Sequence, residues 1–163
     1  MEKPPPKVFK VKDPDPDDKF SDIHPHLPQP PSLLLIVGSV KQGKSNLLVN
    51  LLSNPDMYKD KFDIVKIISN TLNADPKGKL MNKYFDCEDH YNDEMITSII
   101  ESQKAYEDFE RPSIALVLDD ILTKDFKKTN AVSFLATRFR HYGIGLLAFT
   151  TQSFRAVSGL IRN

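Results

Sequence analysis

Short, continuous apolar runs alternate along the chain with longer segments in which apolar residues recur at helical spacing. The runs have the length and aliphatic content of buried strands: residues 33–37 (LLLIV), 62–69 (FDIVKIIS), 113–120 (SIALVLDD) and 144–152 (IGLLAFTTQ). The helical segments are residues 44–52, 92–109 and 129–143. Strands without polar alternation, separated by helices, are typical of a parallel sheet covered on both faces. The pattern therefore predicts an α/β fold with a mostly parallel central sheet.

Turn-forming residues set the limits of these elements. Asn92 or Asp93 can cap the second helix, whose apolar spacing continues through Tyr106, and Gly143 stops the third helix. Residues 70–79 (NTLNADPKGK) are rich in turn formers, so we expect a loop there.

The first 31 residues differ in composition from the rest of the chain. They hold nine of its twelve prolines, few aliphatic residues and no periodicity. Such a segment buries too little apolar surface to offset the free energy of ordering its backbone. We therefore expect a flexible, proline-rich arm over residues 1–31 and a folded domain over residues 32–163.

Overall composition limits the possible classes of protein. The 163 residues suit one domain, and 22 basic residues balance 22 acidic ones, so any attraction to nucleic acid must be local. The single cysteine, Cys87, cannot form an internal disulfide. No apolar run reaches the roughly 18 residues of a membrane span, and the N-terminus is unlike a signal peptide. We expect a soluble, intracellular protein that is not secreted.

The first predicted strand leads into a glycine-rich turn, GSVKQGKS, at residues 38–45. Its spacing is that of the P-loop, G-x-x-x-x-G-K-[ST], in which backbone N–H groups and a helix N-terminus surround the phosphates of a nucleotide. Lys44 would neutralise the β- and γ-phosphates of ATP, and the Ser45 hydroxyl would bind Mg²⁺. The nucleotide-binding residues predicted from this motif are Gly38, Ser39, Val40, Lys41, Gln42, Gly43, Lys44, Ser45 and Asn46.

Two aspartates end the third predicted strand. A phosphate-bound Mg²⁺ needs a carboxylate at the end of a nearby strand, and Asp119 follows an aliphatic run as a Walker-B aspartate does. Asp120 is placed to polarise the water that attacks the γ-phosphate. We predict Asp119 as a metal ligand and Asp120 as the general base; a helix N-cap is the other interpretation of the pair.

The last predicted strand ends at Gln152. If this strand lies between the P-loop and Walker-B strands, the Gln152 amide would meet the γ-phosphate and orient water. Arg140 ends the preceding helix, and we expect it at the surface on the same sheet edge as Gln152. There it would act as an arginine finger on a neighbouring subunit or complement the helix dipole. Arg138, Arg155 and Arg162 are competitors for the finger role.

Four segments together resemble a known family: the P-loop GSVKQGKS, the Walker-B segment LVLDD, the block RHYGIGLLAFTTQS and the closing LIRN. In this order they are similar to the DNA-packaging ATPases of large double-stranded DNA viruses and virophages, in the FtsK–HerA division of P-loop motors. The resemblance covers residues 32–163. Its specific part is the last two segments, because a P-loop alone fits many unrelated proteins.

The resemblance implies a P-loop NTPase with a RecA-like core of the ASCE type, and ATP and Mg²⁺ as cofactors. It also implies a ring of subunits around double-stranded DNA, driven by ATP hydrolysis to translocate the DNA into a capsid. Capsid or portal components as partners, and a location in the host cytoplasm (the viral factory) or the virion, are implied in the same way. The residues that carry over are Lys44, Ser45, Asp119, Asp120 and Gln152, with Arg140 or Arg162 as the finger.

Two features depart from the family pattern. Asp120 stands where a glutamate is usual, so its carboxylate is one methylene shorter and the position of the water or the rate can differ. The chain ends at Asn163, where the family continues into further strand and helix. We therefore expect a C-terminally incomplete core, in either a truncated chain or a minimal domain.

Two other functions fit the same P-loop. A small kinase would transfer the phosphate to a nucleoside or metabolite, but residues 120–140 lack the arginine-rich lid that such an enzyme needs. A non-catalytic scaffold gated by nucleotide would use the proline-rich arm to recruit a partner. Turnover stimulated by duplex DNA would distinguish the packaging motor from both.

Overall fold

The computed structural model describes residues 20, 22–74, 76–121 and 130–157. Helices and strands alternate in this part of the chain: β1 (Ser32–Val37), α1 (Lys44–Ser53), β2 (Ile64–Ser69), α2 (Pro76–Tyr84), β3 (Asp86–Glu88), α3 (Asp93–Lys104), β4 (Ile114–Asp119), α4 (Asn130–Arg138) and β5 (Ile144–Thr151). Two 3₁₀ turns, Phe139–Tyr142 and Phe154–Ala156, flank β5. None of the described helices combines the length and apolar character that a membrane crossing requires.

The five strands of this region form one parallel sheet in the order β1-β5-β4-β2-β3. β5 lies between β1 and β4, with Thr151 opposite Val37 on one side and Phe149 opposite Leu118 on the other. The sheet confirms the predicted α/β fold. It also places the strand before Gln152 between the P-loop strand and the Walker-B strand. Because all strands run in one direction, the residues that follow β1, β2, β4 and β5 meet at one edge.

The sheet separates two hydrophobic cores. Along β4 the side chains alternate, since Leu116 and Leu118 face one core and Ala115 and Val117 face the other. The first core includes side chains of α3 and α4, namely Ile96, Ile100, Val132 and Leu135. The second core includes side chains of α1, namely Leu48, Leu51 and Leu52. β4 and β5 are buried along their whole length, so they form the rigid centre of the domain.

Part of the expected flexible arm packs against the second core. Phe20 and Ile23 are buried, at 9% and 5% exposure. Gly145 on β5 makes room for this contact, because a Cβ there would lie 2.8 Å from Phe62 Cε1 and 3.1 Å from Phe20 Cζ. These isolated apolar side chains supply buried area that the average composition of the segment does not reveal. The expectation of a mobile arm is therefore corrected around Phe20 and Ile23.

Polar contacts also hold this segment. Tyr58 Oη donates a hydrogen bond to the Pro28 carbonyl at 2.6 Å, and burial raises the pKa of Tyr58 to about 12. Lys61 Nζ lies 2.8 Å from Asp22 Oδ2. Residues 1–19 and 21 lie outside the described residues, and the division of the chain at residue 32 stays a prediction.

One helix and one strand had not been predicted. α2 covers residues for which we expected a loop, and its Met81 is 2% exposed within the second core. Gly78 in this helix leaves no room for a Cβ against the Leu72 carbonyl, so the glycine serves a close approach rather than a turn. β3 has three residues and pairs with β2 at the sheet edge.

The ends of the last two helices also differ from expectation. Asn92 caps α3, since its Oδ1 accepts a hydrogen bond from Met95 N at 2.9 Å. This helix ends at Lys104, so Tyr106 lies beyond it and is 46% exposed. α4 gives way to a 3₁₀ turn before Gly143, whose φ of 68° ends the segment as predicted.

Candidate functional site

The predicted P-loop lies where β1 ends and α1 begins. Gly43 precedes α1 with a φ of 89°, a conformation that an L side chain rarely adopts, so glycine is required there. Lys41 also has a positive φ, 64°. At Gly38 a Cβ would make ordinary contacts of 3.6 Å with Gln42 and Lys44, so packing within this chain does not demand that glycine. Gly38 N donates to the Thr151 carbonyl at 3.1 Å, which ties the loop to β5.

Lys44 is held beneath the loop. It is 8% exposed, and its ammonium donates hydrogen bonds to the Gly38 carbonyl at 2.9 Å and the Ser39 carbonyl at 3.3 Å. Asp120 Oδ1 lies 3.9 Å from the same Nζ atom. The first residue of α1 therefore brings a positive charge to the base of the loop, beside the end of β4.

A cleft of about 480 Å³ opens above this lysine, a size within the range of roughly 300–1,000 Å³ that small-molecule sites have. The structure brings to it seven of the predicted site residues: Val40, Lys41, Gly43, Lys44, Ser45, Asp120 and Gln152. Thr71, Ala74 and Pro76, from the segment after β2, line it as well.

The other predicted P-loop residues do not line the cleft. Gly38 and Ser39 contribute the carbonyls that hold Lys44. Gln42 N donates to the Ser39 carbonyl at 3.3 Å, which closes the loop on itself. Asn46 is exposed, and its carbonyl accepts a hydrogen bond from Asn50 Nδ2 at 2.8 Å.

Asp119 is buried at the end of β4, at 3% exposure. Ser69 Oγ, from the end of β2, donates to its Oδ2 at 2.8 Å. Thr150 Oγ1, from β5, donates to its Oδ1 at 2.6 Å. Both carboxylate oxygens are thus engaged by hydroxyl groups of the neighbouring strands, and Asp119 is not among the residues that line the cleft.

Asp120 is the carboxylate that does reach the cleft. It follows β4 with a φ of 50°, and its N–H donates to Thr150 Oγ1 at 2.9 Å. Burial raises the pKa of Asp120, and the nearby Asp119 charge adds to the increase. Lys44 and a hydrogen bond with the Gln152 side chain act in the opposite direction on that pKa. A carboxylate with a raised pKa beside a cation suits a general base.

Oxygen atoms at the P-loop side of the cleft suit a hard divalent cation. The Ser45 hydroxyl and the Asp120 carboxylate line the cleft, and Asp119 lies behind it. Within the described residues, no three His, Cys, Asp or Glu side chains gather into a metal-binding group. A Mg²⁺ ion here would depend on nucleotide phosphates and water for most of its ligands, as Mg²⁺ in phosphate sites usually does.

Arg140 lies at the other end of the sheet from the cleft. It belongs to the 3₁₀ turn before β5, whereas Gln152 follows β5, and a strand of eight residues is roughly 26 Å long. The expectation that Arg140 shares a sheet edge with Gln152 is therefore corrected, because residues before and after a strand lie at opposite edges. Its side chain is exposed, as expected, and lines a separate cavity of about 340 Å³ with Arg111 and His141.

Two of the competing arginines, Arg138 and Arg155, do not line the cleft either. The Arg138 guanidinium lies 4.8 Å from the centre of the Phe134 ring, so it stacks on its own helix. Arg155 is exposed in the 3₁₀ turn after β5. Arg162 lies outside the described residues.

The sequence interpretation missed the hydroxyl residues around the aspartates. Ser69 and Thr150 are polar residues at the C-terminal ends of apolar strands, and Thr71 follows Ser69 closely. Because the ends of parallel strands meet at one edge, that position was the available signal. The roles of Ala74 and Pro76 had no such signal, since they depend on where α2 packs.

Comparisons with known proteins bear on the fold. No family model matches the sequence, and no curated protein matches it. The genome packaging NTPase B204 of Sulfolobus turreted icosahedral virus 2, in complex with ATP-γS, matches 79% of this chain and 68% of its own, at 19% identity and a TM-score of 0.53. The cytoplasmic domain of the type VII secretion ATPase EccC of Thermomonospora curvata matches 82% of this chain and 18% of its own, at 18% identity and a TM-score of 0.55. The chain therefore has the fold of a P-loop NTPase core, as the sequence predicted, and shares it with a viral genome packaging NTPase.

Proposed function

We propose that this chain is the ATP-hydrolysing subunit of a motor that translocates double-stranded viral DNA into a capsid. One observation carries the enzymatic part of the proposal. Lys44 from α1, Asp120 after β4 and Gln152 after β5 line the same cleft, beside the P-loop turn. A cation, a candidate base and an amide in one cleft are the groups that hydrolysis of a nucleoside triphosphate needs.

ATP binding is assigned to the P-loop. Gly43, Lys44 and Ser45 place the N-terminus of α1 against the cleft, and the positive end of a helix dipole favours phosphate. The Lys44 ammonium is bonded to two neutral carbonyls of the loop. Phosphate oxygens would give it stronger, charge-assisted hydrogen bonds in their place.

A Mg²⁺ ion held at Ser45 would supply positive charge that neutralises the charge developing on the phosphates. We propose Ser45 as its direct ligand on the protein. Asp119 is assigned to the metal through water, because Ser69 and Thr150 already donate hydrogen bonds to both of its oxygens.

Hydrolysis is assigned to Asp120 and Gln152. The Asp120 carboxylate accepts a proton from water as the water oxygen bonds to the γ-phosphorus. The bond from that phosphorus to the β–γ bridging oxygen breaks, which releases ADP and phosphate. The Gln152 side chain, which lines the same cleft as Asp120, orients the water.

Translocation of DNA rests on the resemblance of residues 32–163 to packaging ATPases and on the fold shared with B204. Double-stranded DNA, further copies of this chain in a ring, and capsid or portal components are the proposed partners. The host cytoplasm or the virion is the proposed location. Arg140 is proposed to complete the nucleotide site of a neighbouring subunit. Since a secretion ATPase shares the same fold, the fold alone does not identify the cargo.

The decisive experiment measures ATP hydrolysis with and without duplex DNA, alongside the mass of the protein in solution, with Lys44→Ala as the inactive control. We expect turnover that depends on Lys44 and is stimulated by duplex DNA. Turnover that is linear in protein concentration and indifferent to DNA would favour the kinase, which a screen of nucleoside acceptors would then identify. ATP binding without turnover in any assembly state would favour the scaffold.

A further inference from the structure

We infer that Thr150 and Ser69 are positioning residues that fix the Asp119–Asp120 turn and so aim the Asp120 carboxylate at the nucleotide cleft. This inference rests on the proposed function, because it assigns roles within the same site. Ser69 lies outside the motifs from which that function was derived, and Thr150 lies within the block RHYGIGLLAFTTQS but was given no role there.

The Thr150 hydroxyl joins the two aspartates. It donates its proton to Asp119 Oδ1 at 2.6 Å and accepts one from the Asp120 N–H at 2.9 Å. Thr150 is fully buried, so water does not compete for these bonds. A carboxylate can only accept and a backbone N–H can only donate, so the direction of both hydrogen bonds is fixed.

Ser69 completes the support from the opposite strand. Its hydroxyl is 1% exposed and donates to Asp119 Oδ2 at 2.8 Å, so its single proton is used. Thr71 Oγ1 lies 3.2 Å from Ser69 Oγ and must therefore be the donor in that contact. Because Thr71 lines the cleft, a row of hydrogen bonds runs from the cleft wall through β2, β4 and β5 to the Asp120 backbone.

These hydrogen bonds stabilise a backbone conformation of Asp120 that aspartate adopts infrequently. Asp120 has a φ of 50°, in the left-handed region. Its N–H would lose its hydrogen bond if the Thr150 hydroxyl were absent, and the turn would relax toward the extended conformation of β4. The carboxylate would then leave its place beside Lys44 and Gln152. Thr150 thus acts on hydrolysis through Asp120, without contact to the nucleotide.

The kinetic test uses two pairs of matched variants. Thr150→Val removes the hydroxyl at nearly constant volume, and Thr150→Ser restores it. Ser69→Ala is matched by Ser113→Ala at the opposite end of β4, where a buried hydroxyl also donates to a carboxylate, Asp63 Oδ2, at 2.9 Å. We expect Thr150→Val and Ser69→Ala to bind ATP within about threefold of the wild-type affinity and to lose about 10- to 100-fold in kcat, the usual effect of a misplaced catalytic group. Thr150→Ser should recover most of the rate, and Ser113→Ala should retain it.

A second measurement does not depend on turnover. Hydrogen exchange of the Asp120 amide, followed by NMR in the whole chain, should be slow in the wild type and in Ser113→Ala. It should be at least about tenfold faster in Thr150→Val, because the acceptor of that N–H is gone. Wild-type exchange of the Asp120 amide in Thr150→Val, or a wild-type kcat in that variant, would overturn the inference.

The two proposals fail in different ways. If the wild-type protein neither binds nor hydrolyses ATP, the proposed function fails, while the Asp120 amide still shows whether Thr150 holds the turn. If the wild type is active and Thr150→Val is equally active, the positioning role fails and the ATPase remains. Equal loss of rate in Ser69→Ala and Ser113→Ala would show a general loss of stability and overturn the role of Ser69.

Discussion

The Lys44 ammonium and the Asp120 carboxylate face each other across the candidate cleft, with Nζ and Oδ1 3.9 Å apart. Burial raises the pKa of Asp120, and Lys44 partly offsets that increase. A phosphate group that bonds to Lys44 would neutralise part of the positive charge of the ammonium. The pKa of Asp120 would then rise further, so binding of the nucleotide would itself make Asp120 a stronger base.

Lys44→Ala should nearly abolish ATP binding and turnover, because no other lysine in the described part of the chain is buried beneath the P-loop to neutralise the β- and γ-phosphates. Titration with a fluorescent ATP analogue and a steady-state ATPase assay measure the two effects. Lys59→Ala is the control, since this exposed lysine follows the far end of α1. Wild-type affinity and hydrolysis in Lys44→Ala would contradict the assignment of the P-loop.

Asp120→Asn should keep ATP and Mg²⁺ binding and lose hydrolysis by a factor on the order of 10² to 10⁴, the usual contribution of a positioned base. Asp119→Asn should instead weaken Mg²⁺ binding, and it should lower stability because the buried Asp119 oxygens accept two hydroxyl hydrogen bonds. Single-turnover hydrolysis over a Mg²⁺ titration separates the two effects. The reverse pattern would mean that the two aspartates exchange roles.

The rate of hydrolysis should depend on pH through the ionisation of Asp120. The base must be ionised to accept a proton, so kcat should fall as the pH drops through its pKa. Since burial raises that pKa, the acid limb should lie at higher pH than an exposed aspartate would give. The free energy of unfolding should change with pH in the opposite direction to kcat, because the folded form binds the proton on Asp120 more tightly than the unfolded chain does. Protonation of Asp120 therefore stabilises the fold at acid pH, and this contribution is lost as the pH rises through the folded pKa.

A kcat profile from acid to neutral pH, measured on the wild type, tests this expectation. The residual activity of Asp120→Asn should lack the acid limb. If the variant keeps the same limb, the titrating group is another residue.

Arg140→Ala should act on neighbouring subunits rather than on its own cleft. The wild-type rate should rise more steeply than linearly with protein concentration, and added Arg140→Ala subunits should lower it by more than dilution predicts. An arginine supplied across a subunit boundary contributes about 10³ to 10⁵ in rate. Arg138→Ala is the matched control, because that side chain stacks on Phe134. Activity that falls only in proportion to the mixing ratio would remove Arg140 from the mechanism.

Phe20→Ala should lower the free energy of unfolding by about 3–5 kcal/mol, as expected for truncation of a buried phenylalanine. Phe20 packs with Phe62 at a ring-centre distance of 5.6 Å, against the surface of β5 at Gly145. Phe109→Ala, at a residue that is 85% exposed, should change stability by less than about 0.5 kcal/mol. Urea denaturation of both variants compares them directly. Equal stability of the two would show that residue 20 does not belong to the folded domain.

The sequence predicted the elements that have strong local signals. Continuous aliphatic runs located β1, β4 and β5, and the pair Gly43-Lys44 located the start of α1. α2 was missed because Pro76 and Gly78 favour turns, while the packing of Met81 against the second core depends on contacts between distant residues. β3 is too short to show a period.

The sequence predicted which residues belong to the candidate site more fully than it predicted their positions. Lys44, Asp120 and Gln152 were identified from their places in motifs, and the structure brings them to one cleft. The hydrogen bonds from Ser69 and Thr150 to Asp119 were not predicted, because the polar residues at the ends of β2 and β5 were not recognised as its partners. The place of Arg140 could have been predicted, because it precedes the strand that Gln152 follows, and residues before and after a strand lie at opposite edges of the sheet.

The separation of Arg140 from Gln152 by the full length of β5 gives the subunit two unlike ends. If Arg140 of one subunit enters the cleft of the next, the contact is heterologous, and every subunit donates at one end and receives at the other. An open row of any length then leaves one cleft without an arginine and one arginine without a cleft. Only a closed assembly completes all of its nucleotide sites. All of the nucleotide sites would therefore become active only when the last subunit closes the assembly.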